Sequence, residues 1–193
     1  MEYELLLVTV LGTVVVYLVW DTYFTGNLQK VKSSYDGKIY TVQSMPDKED
    51  AADLLAHIGE NLTTLVGHLE KMYPDDPRTQ KVSKNFNADR ISEGVERENY
   101  TSYSVNKGER IVFCLRSKDK SKKLVDLNTM MFVALHEIAH IATESVGHTD
   151  EFWSNFKWLL QESIQIGIYT KQDFKEKPQK YCGINIESSP LDN

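Results

Sequence analysis

The sequence predicts an α+β fold: an N-terminal membrane helix, then one small domain in which a short β-sheet packs on a central helix and flanking helices. Three observations carry this. Sixteen residues, 5–20, hold no charge. Long stretches further on repeat apolar residues at helical spacing, and shorter runs rich in β-branched and aromatic residues flank a glycine-containing loop. With 193 residues, 41% hydrophobic and 26% charged, the chain suits one core plus an appendage.

Residues 1–25 are the expected transmembrane anchor. The run is shorter than the roughly twenty residues a span usually needs, but Tyr17, Trp20, Tyr23 and Phe24 suit an interfacial belt. Glu2 and Glu4 stand where a signal peptide would carry basic residues. Lys30, Lys32 and Lys38 follow the run, so the positive-inside bias predicts a single-pass membrane protein with its C-terminal domain in the cytosol. Residues 26–37 are polar and read as a tether, and the folded domain is expected over 38–193.

Within that domain, residues 38–42 read as a first strand. Between Pro46 and Pro74, Leu55, Ile58, Leu62, Leu65 and Leu69 recur at helical spacing. His57 and His68 share one side of that helix, but about 16 Å of rise separates them, too far for one metal ion; they read as boundary residues. Residues 77–88 form a short helix. Residues 100–105 and 110–116 flank Asn106-Lys107-Gly108-Glu109 as a β-hairpin, and the charged run 118–123 reads as a solvated loop. A helix over 129–146 follows, capped by Asp126 or Asn128 and stopped at Gly147. Its apolar residues lie on nearly all sides, the pattern of a buried helix. Thr149 caps another helix reaching about Ile166, with Phe152, Phe156, Leu159, Leu160 and Ile164 on one face. Residues 169–193, with Pro178 and Pro190, read as an irregular tail.

The buried helix carries the chemistry, in His136-Glu137-Ile138-Ala139-His140. Two histidines four apart project from one face, so their imidazoles can take adjacent corners of a tetrahedral Zn²⁺ site. Glu137 lies about 100° round the helix from His136 and about 60° from His140, placed to reach a bound water rather than the ion. Its expected role is general base. Three ionisable groups left unpartnered on such a helix would cost several kcal/mol. His148, just past the Gly147 break, is the expected third ligand, with Asp150 and Glu151 as lesser candidates. Three protein ligands leave a fourth position for water, whose pKa one bound Zn²⁺ lowers to about 7. Of the tyrosines able to stabilise an oxyanion, Tyr100, Tyr103, Tyr169 and Tyr181 are not distinguished.

The pattern His136-Glu137-x-x-His140, seven residues, then His148-x-x-x-Phe152-Trp153 resembles the small zincin metallopeptidases of the WLM and SprT-like groups. The longer run 100–182, with Phe113-Cys114-Leu115-Arg116, Asp126-Leu127-Asn128-Thr129 and Tyr181-Cys182-Gly183, is similar to uncharacterised metallopeptidase-like proteins of large DNA viruses. The resemblance implies a zincin-like domain, one zinc ion and a protein or peptide substrate. It also implies a strand beside the active-site helix, 110–116 or a neighbour, whose edge takes an extended peptide. The spacing to His148 differs from that of metzincins, and their methionine turn is not evident.

A net charge of −6 offers no broad basic surface and argues against a nucleic-acid partner, although relatives in these groups are associated with proteins crosslinked to DNA. Cys114 and Cys182 lack Cys-x-x-Cys partners and are expected as reduced thiols, consistent with a cytosolic body. Two functions follow: a membrane-tethered zinc endopeptidase, or a noncatalytic membrane-anchored adaptor whose zinc only holds two helices together.

Overall fold

The computed structural model describes residues 2–24, 28–95 and 101–192. The uncharged N-terminal run folds as helix α1 (Glu2–Phe24), with residues 6–19 exposed throughout. Among the described residues, however, no helix is long and apolar enough to cross a membrane. Sixteen uncharged residues rise only about 24 Å, against a hydrocarbon core of about 30 Å. The expected transmembrane span, and with it the membrane as partner, is unsupported.

From residue 28 onward the expected tether is a strand and a turn. Residues 28–32 form β1 (Leu28–Lys32), antiparallel to β2 (Ile39–Gln43), in register from Leu28 opposite Gln43 to Lys32 opposite Ile39. Lysines 30 and 32 occupy the exposed positions while Gln29 and Val31 turn inward, so a strand with one inward aliphatic reads as a polar linker. The turn is fastened to the next helix: the hydroxyls of Ser33 and Ser34 each donate to the Asp53 carboxylate at 2.6 Å.

Helix α2 (Lys48–Met72) buries Ala51, Leu55, Ile58, Leu62, Leu65 and Leu69, the predicted face. Helix α3 (Pro77–Asn85) starts where Pro77 fits its first turn and the Asp76 side chain accepts from the Arg78 amide. It stops three residues before Ala88, where a 3-10 turn begins. A three-stranded sheet follows, made of β3 (Ile91–Glu93), β4 (Tyr103–Val105) and β5 (Arg110–Phe113) in the order β3-β5-β4. The β4–β5 hairpin is the predicted one. Strand β5 is central, parallel to β3 and antiparallel to β4, so residues 110–113 offer no free edge; the edge strands are β3 and β4, of which β4 touches α4. At the hairpin turn Gly108 has φ +109°, and a Cβ there would stand 2.8 Å from the Asn85 carbonyl oxygen and 2.9 Å from Ile141 Cδ1. Only glycine fits so close an approach.

A buried ion cluster ties this sheet to the start of α2. Arg116, 4% exposed, donates from Nε to Glu93 Oε1 at 2.8 Å and from Nη1 to both Asp47 oxygens at 2.6 and 2.7 Å. Burial pushes the Glu93 carboxyl up, against the backbone amide of Gln43 and the guanidinium. Arg116→Met strands two carboxylates, one fully buried, and is expected to cost about 3–5 kcal/mol in denaturant unfolding.

Helix α4 (Leu127–Ala142) is capped by Asp126, which accepts from Thr129 N at 2.9 Å. It packs against α2, α3 and the following helix, α5 (Asp150–Gln165), capped by Thr149 as predicted. Helix α4 ends four residues before the expected Val146. Thr143 closes it by donating from its amide and hydroxyl to the Ala139 carbonyl, and Lys107 Nζ takes the Thr143 and Glu144 carbonyls at 2.5 and 2.6 Å.

The tail is not irregular throughout. It forms a hairpin of β6 (Gln179–Tyr181) and β7 (Ile184–Ile186), turned by Cys182 and Gly183 at φ +45° and +81°, the left-handed pair of a two-residue hairpin turn. Cys182 is joined to Cys114 by a disulfide, with Cα atoms 6.1 Å apart. The expectation of reduced thiols is overturned, and with it their support for a cytosolic body. The two cysteines lie 68 positions apart in the sequence, and only the tail's return across the end of β5 brings them together.

His57 stacks on Tyr35 with centroids 3.8 Å apart, and His68 pairs with Glu162 at 2.8 Å. Both are boundary contacts, as expected.

Candidate metal centre

Helix α4 is buried almost completely, and this singles out its two histidines. From Thr129 to Thr143, all described, only His136 and His140 are partly exposed. Their rings stand 4.9 Å apart by centroid, as residues one turn apart must on a single face. The segment after Thr143 then turns back and lays His148 over them: His148 Nε2 lies 3.1 Å from His136 Nε2. One ligand atom from each of the three histidines falls within 4.8 Å of the others. The predicted set is therefore assembled, and Asp150 and Glu151 stand outside it.

These positions suit an ion. Two nitrogens each about 2.0–2.1 Å from one Zn²⁺ at tetrahedral angles stand roughly 3.3 Å apart, close to the 3.1 Å seen. Ligation also requires neutral imidazoles. Burial first, then the neighbouring imidazoles, push His136 down to about 3; burial, then His148 and Lys107, push His140 down to about 4. The Phe152 ring packs beneath the cluster, 4.4 to 4.9 Å from all three imidazoles, giving it an apolar floor. Trp153, 43% exposed, flanks His148 at 5.7 Å.

Glu137, the residue after the first histidine, is 4% exposed. Burial raises its carboxyl to about 7, opposed by a hydrogen bond from the Ser104 backbone on β4. A carboxylate held there takes up a proton readily near neutral pH.

Glu151 has a different task from the ligand role considered for it. Its carboxylate accepts from the amides of Glu144 and Ser145 and from the Ser145 hydroxyl, at 2.8, 3.1 and 2.7 Å. It thereby clamps the segment that delivers His148. These bonds hold the Glu151 carboxyl down from 4.5 to about 2. The sign follows: the clamp is fully present above the ordinary value and is lost as pH falls toward the folded one. Glu151→Ala, with every ligand intact, is expected to weaken zinc binding about tenfold in a competition titration.

Sequence reasoning did not find the flank of the site. Tyr181, Ile184 and Ile186, with Thr101 and Ser102, face Phe132, Val133 and His136 across a small cavity. Phe132 and Val133 precede His136 by four and three residues, so helical spacing could have placed them beside it; nothing local could have placed the hairpin. Of the four tyrosines considered, Tyr181 lies here, with its hydroxyl 2.5 Å from Ser102 Oγ. Tyr103 and Tyr169 are elsewhere, and Tyr100 is outside the described residues.

An α+β body built round a two-histidine helix, with a third histidine delivered from the next connection, has the architecture of a zincin-like metallopeptidase. Residues 34–191 match the family model of the WLM domain, and the chain belongs to that family. It is similar to Uncharacterized protein R325 of Acanthamoeba polyphaga mimivirus, 36% identical over 166 residues, 83% of each chain. It is also similar to Uncharacterized protein 136R of Invertebrate iridescent virus 6, 25% identical over 186 residues, 93% of this chain and 97% of that one. Among solved structures, the crystal structure of Wss1 from Saccharomyces cerevisiae is similar at 23% identity and a TM-score of 0.49, over 65% of this chain and 85% of that one.

Proposed function

We propose that this protein is a zinc-dependent endopeptidase acting on extended segments of protein substrates. The observation that carries the reading is the convergence of three imidazole nitrogens within 4.8 Å, two of them from a helix whose next residue after the first histidine is a buried glutamate. His136, His140 and His148 would hold the ion in their neutral forms. When bound, zinc supplies a Lewis acid that polarises the scissile carbonyl and makes water nucleophilic near neutral pH. Glu137 accepts the proton of the attacking water as the new C–O bond forms, and gives it to the departing amine nitrogen as the C–N bond breaks. Strand β4 is a sheet edge that touches α4 and whose Ser104 backbone reaches Glu137. A peptide laid along that edge gains backbone hydrogen bonds with little demand on its sequence.

Metal loading tests this directly. The metal-free chain is expected to take up one zinc per molecule, to gain about 2.7 kcal/mol of stability at free zinc one hundred times Kd, and to cleave an unfolded protein only when loaded. Chelation should remove both effects. Stoichiometric zinc without cleavage would favour the noncatalytic, helix-bracing role, and no zinc uptake rejects both.

A further inference from the structure

A separate cavity opens where β5 ends. Gln43, Tyr103, Cys114, Arg116, Lys118 and Lys122 are among the residues that line it; it contains half of the disulfide and none of the three histidines. We propose that this cavity is a docking site for a small anionic thiol, which attacks the disulfide at Cys114 and releases the β6–β7 hairpin.

The cavity suits an anion. Its charged lining residues, Arg116, Lys118 and Lys122, are all cationic. Arg116 commits Nε to Glu93 and Nη1 to Asp47, which offset its charge, yet its Nη2 is buried with no hydrogen-bond partner. An unpaired buried donor is costly, and a carboxylate supplies the acceptor it lacks. The net positive charge comes from the two lysines. Asp119, in the same loop, accepts from the Ser117 and Ser121 hydroxyls.

The disulfide beside these cations is what singles out a thiol. Cys114 lines the cavity and is partly exposed, whereas Cys182 is 2% exposed and lies outside the lining. Exchange therefore starts at Cys114. The sulfur of the incoming thiolate bonds to Cys114 Sγ as the bond to Cys182 Sγ breaks; the bonding pair leaves on Cys182 Sγ, which takes a proton from water. The product is a mixed disulfide on Cys114 and a thiol on Cys182. Nearby cations favour the thiolate throughout.

The bond that opens is the one that holds the hairpin down. Cys182 and Gly183 make its turn, and that turn rests on Lys118: a Cβ at Gly183 would stand 3.1 Å from Lys118 Cδ. The same hairpin brings Tyr181, Ile184 and Ile186 to the wall facing His136, so a reaction in one cavity loosens a wall of the other.

The test does not depend on hydrolysis. Exchange of the full chain is followed at low ionic strength with mercaptoacetate, an anion, and with cysteamine, a cation, each rate being divided by that thiol's rate on a small neutral disulfide. Mercaptoacetate is expected to be faster by about tenfold or more, within the range of electrostatic steering. The preference should shrink to within about twofold in roughly 1 M salt, where charges are screened beyond about 3 Å, and to within about threefold when Lys118→Gln and Lys122→Gln are combined. Peptide mapping after alkylation should place the adduct on Cys114 and the alkyl group on Cys182, and amide hydrogen exchange over residues 179–186 should quicken by about tenfold or more in the adduct. Equal normalised rates, a preference that survives the salt or the paired substitution, an adduct on Cys182, or unchanged exchange over 179–186 overturns the proposal.

Discussion

Glu137→Gln is expected to keep one zinc per chain and to lose about 10²- to 10⁴-fold in kcat for peptide hydrolysis, the usual contribution of a positioned general base. Glutamine preserves shape in a site that is 4% exposed, and its amide oxygen can still accept from the Ser104 backbone. The imidazoles are untouched, so metal affinity should not move. What disappears is a group able to carry a proton from water to the leaving nitrogen. Because that transfer belongs to the transition state, kcat and kcat/KM should fall together with KM little changed. His148→Ala provides the contrast, losing a ligand and therefore zinc as well as turnover. A Glu137→Gln protein with wild-type kcat and bound zinc would remove Glu137 from the chemistry.

The parts of this molecule that were legible in its sequence are those fixed by short-range geometry. The helix period places His136 and His140 on one face, Asp126 and Thr149 cap α4 and α5, and a glycine-containing four-residue loop turns the β4–β5 hairpin. His148 was legible for a related reason: a chain that must turn between two packed helices returns close to where it left. Long-range closure was not legible. Strand β1 carries Leu28, Gln29, Lys30, Val31 and Lys32, and only its pairing with β2 makes a strand of it. The end of α4 is set by Lys107, thirty-six residues before Thr143. Hairpin β6–β7 is fixed to β5 by a bond between residues that no local pattern connects, and the pocket wall beside His136 is built from it.

That bond should also dominate stability. Reducing the Cys114–Cys182 disulfide is expected to cost about 4 kcal/mol, because a crosslink closing a loop of 68 residues restricts the unfolded chain by roughly that amount. For a chain of this size the loss corresponds to a fall in Tm of about 8–16 °C. An opposing effect is local to residue 182. Cys182 holds φ +45°, a left-handed conformation costing about 1–2 kcal/mol for a residue bearing a Cβ, and the serine of Cys182→Ser would carry the same cost. Cys182→Gly loses the same crosslink yet sheds that cost in the folded state, though glycine's freer unfolded chain takes part of the gain back. Of the two variants, Cys182→Gly should therefore be the more stable, by about 1 kcal/mol or less. Denaturant unfolding of both, at fixed zinc because bound metal adds its own stabilisation, separates the crosslink from the turn. A Tm that moves less than about 2 °C on full reduction would mean that packing around Tyr181, not the covalent bond, holds the hairpin against the sheet.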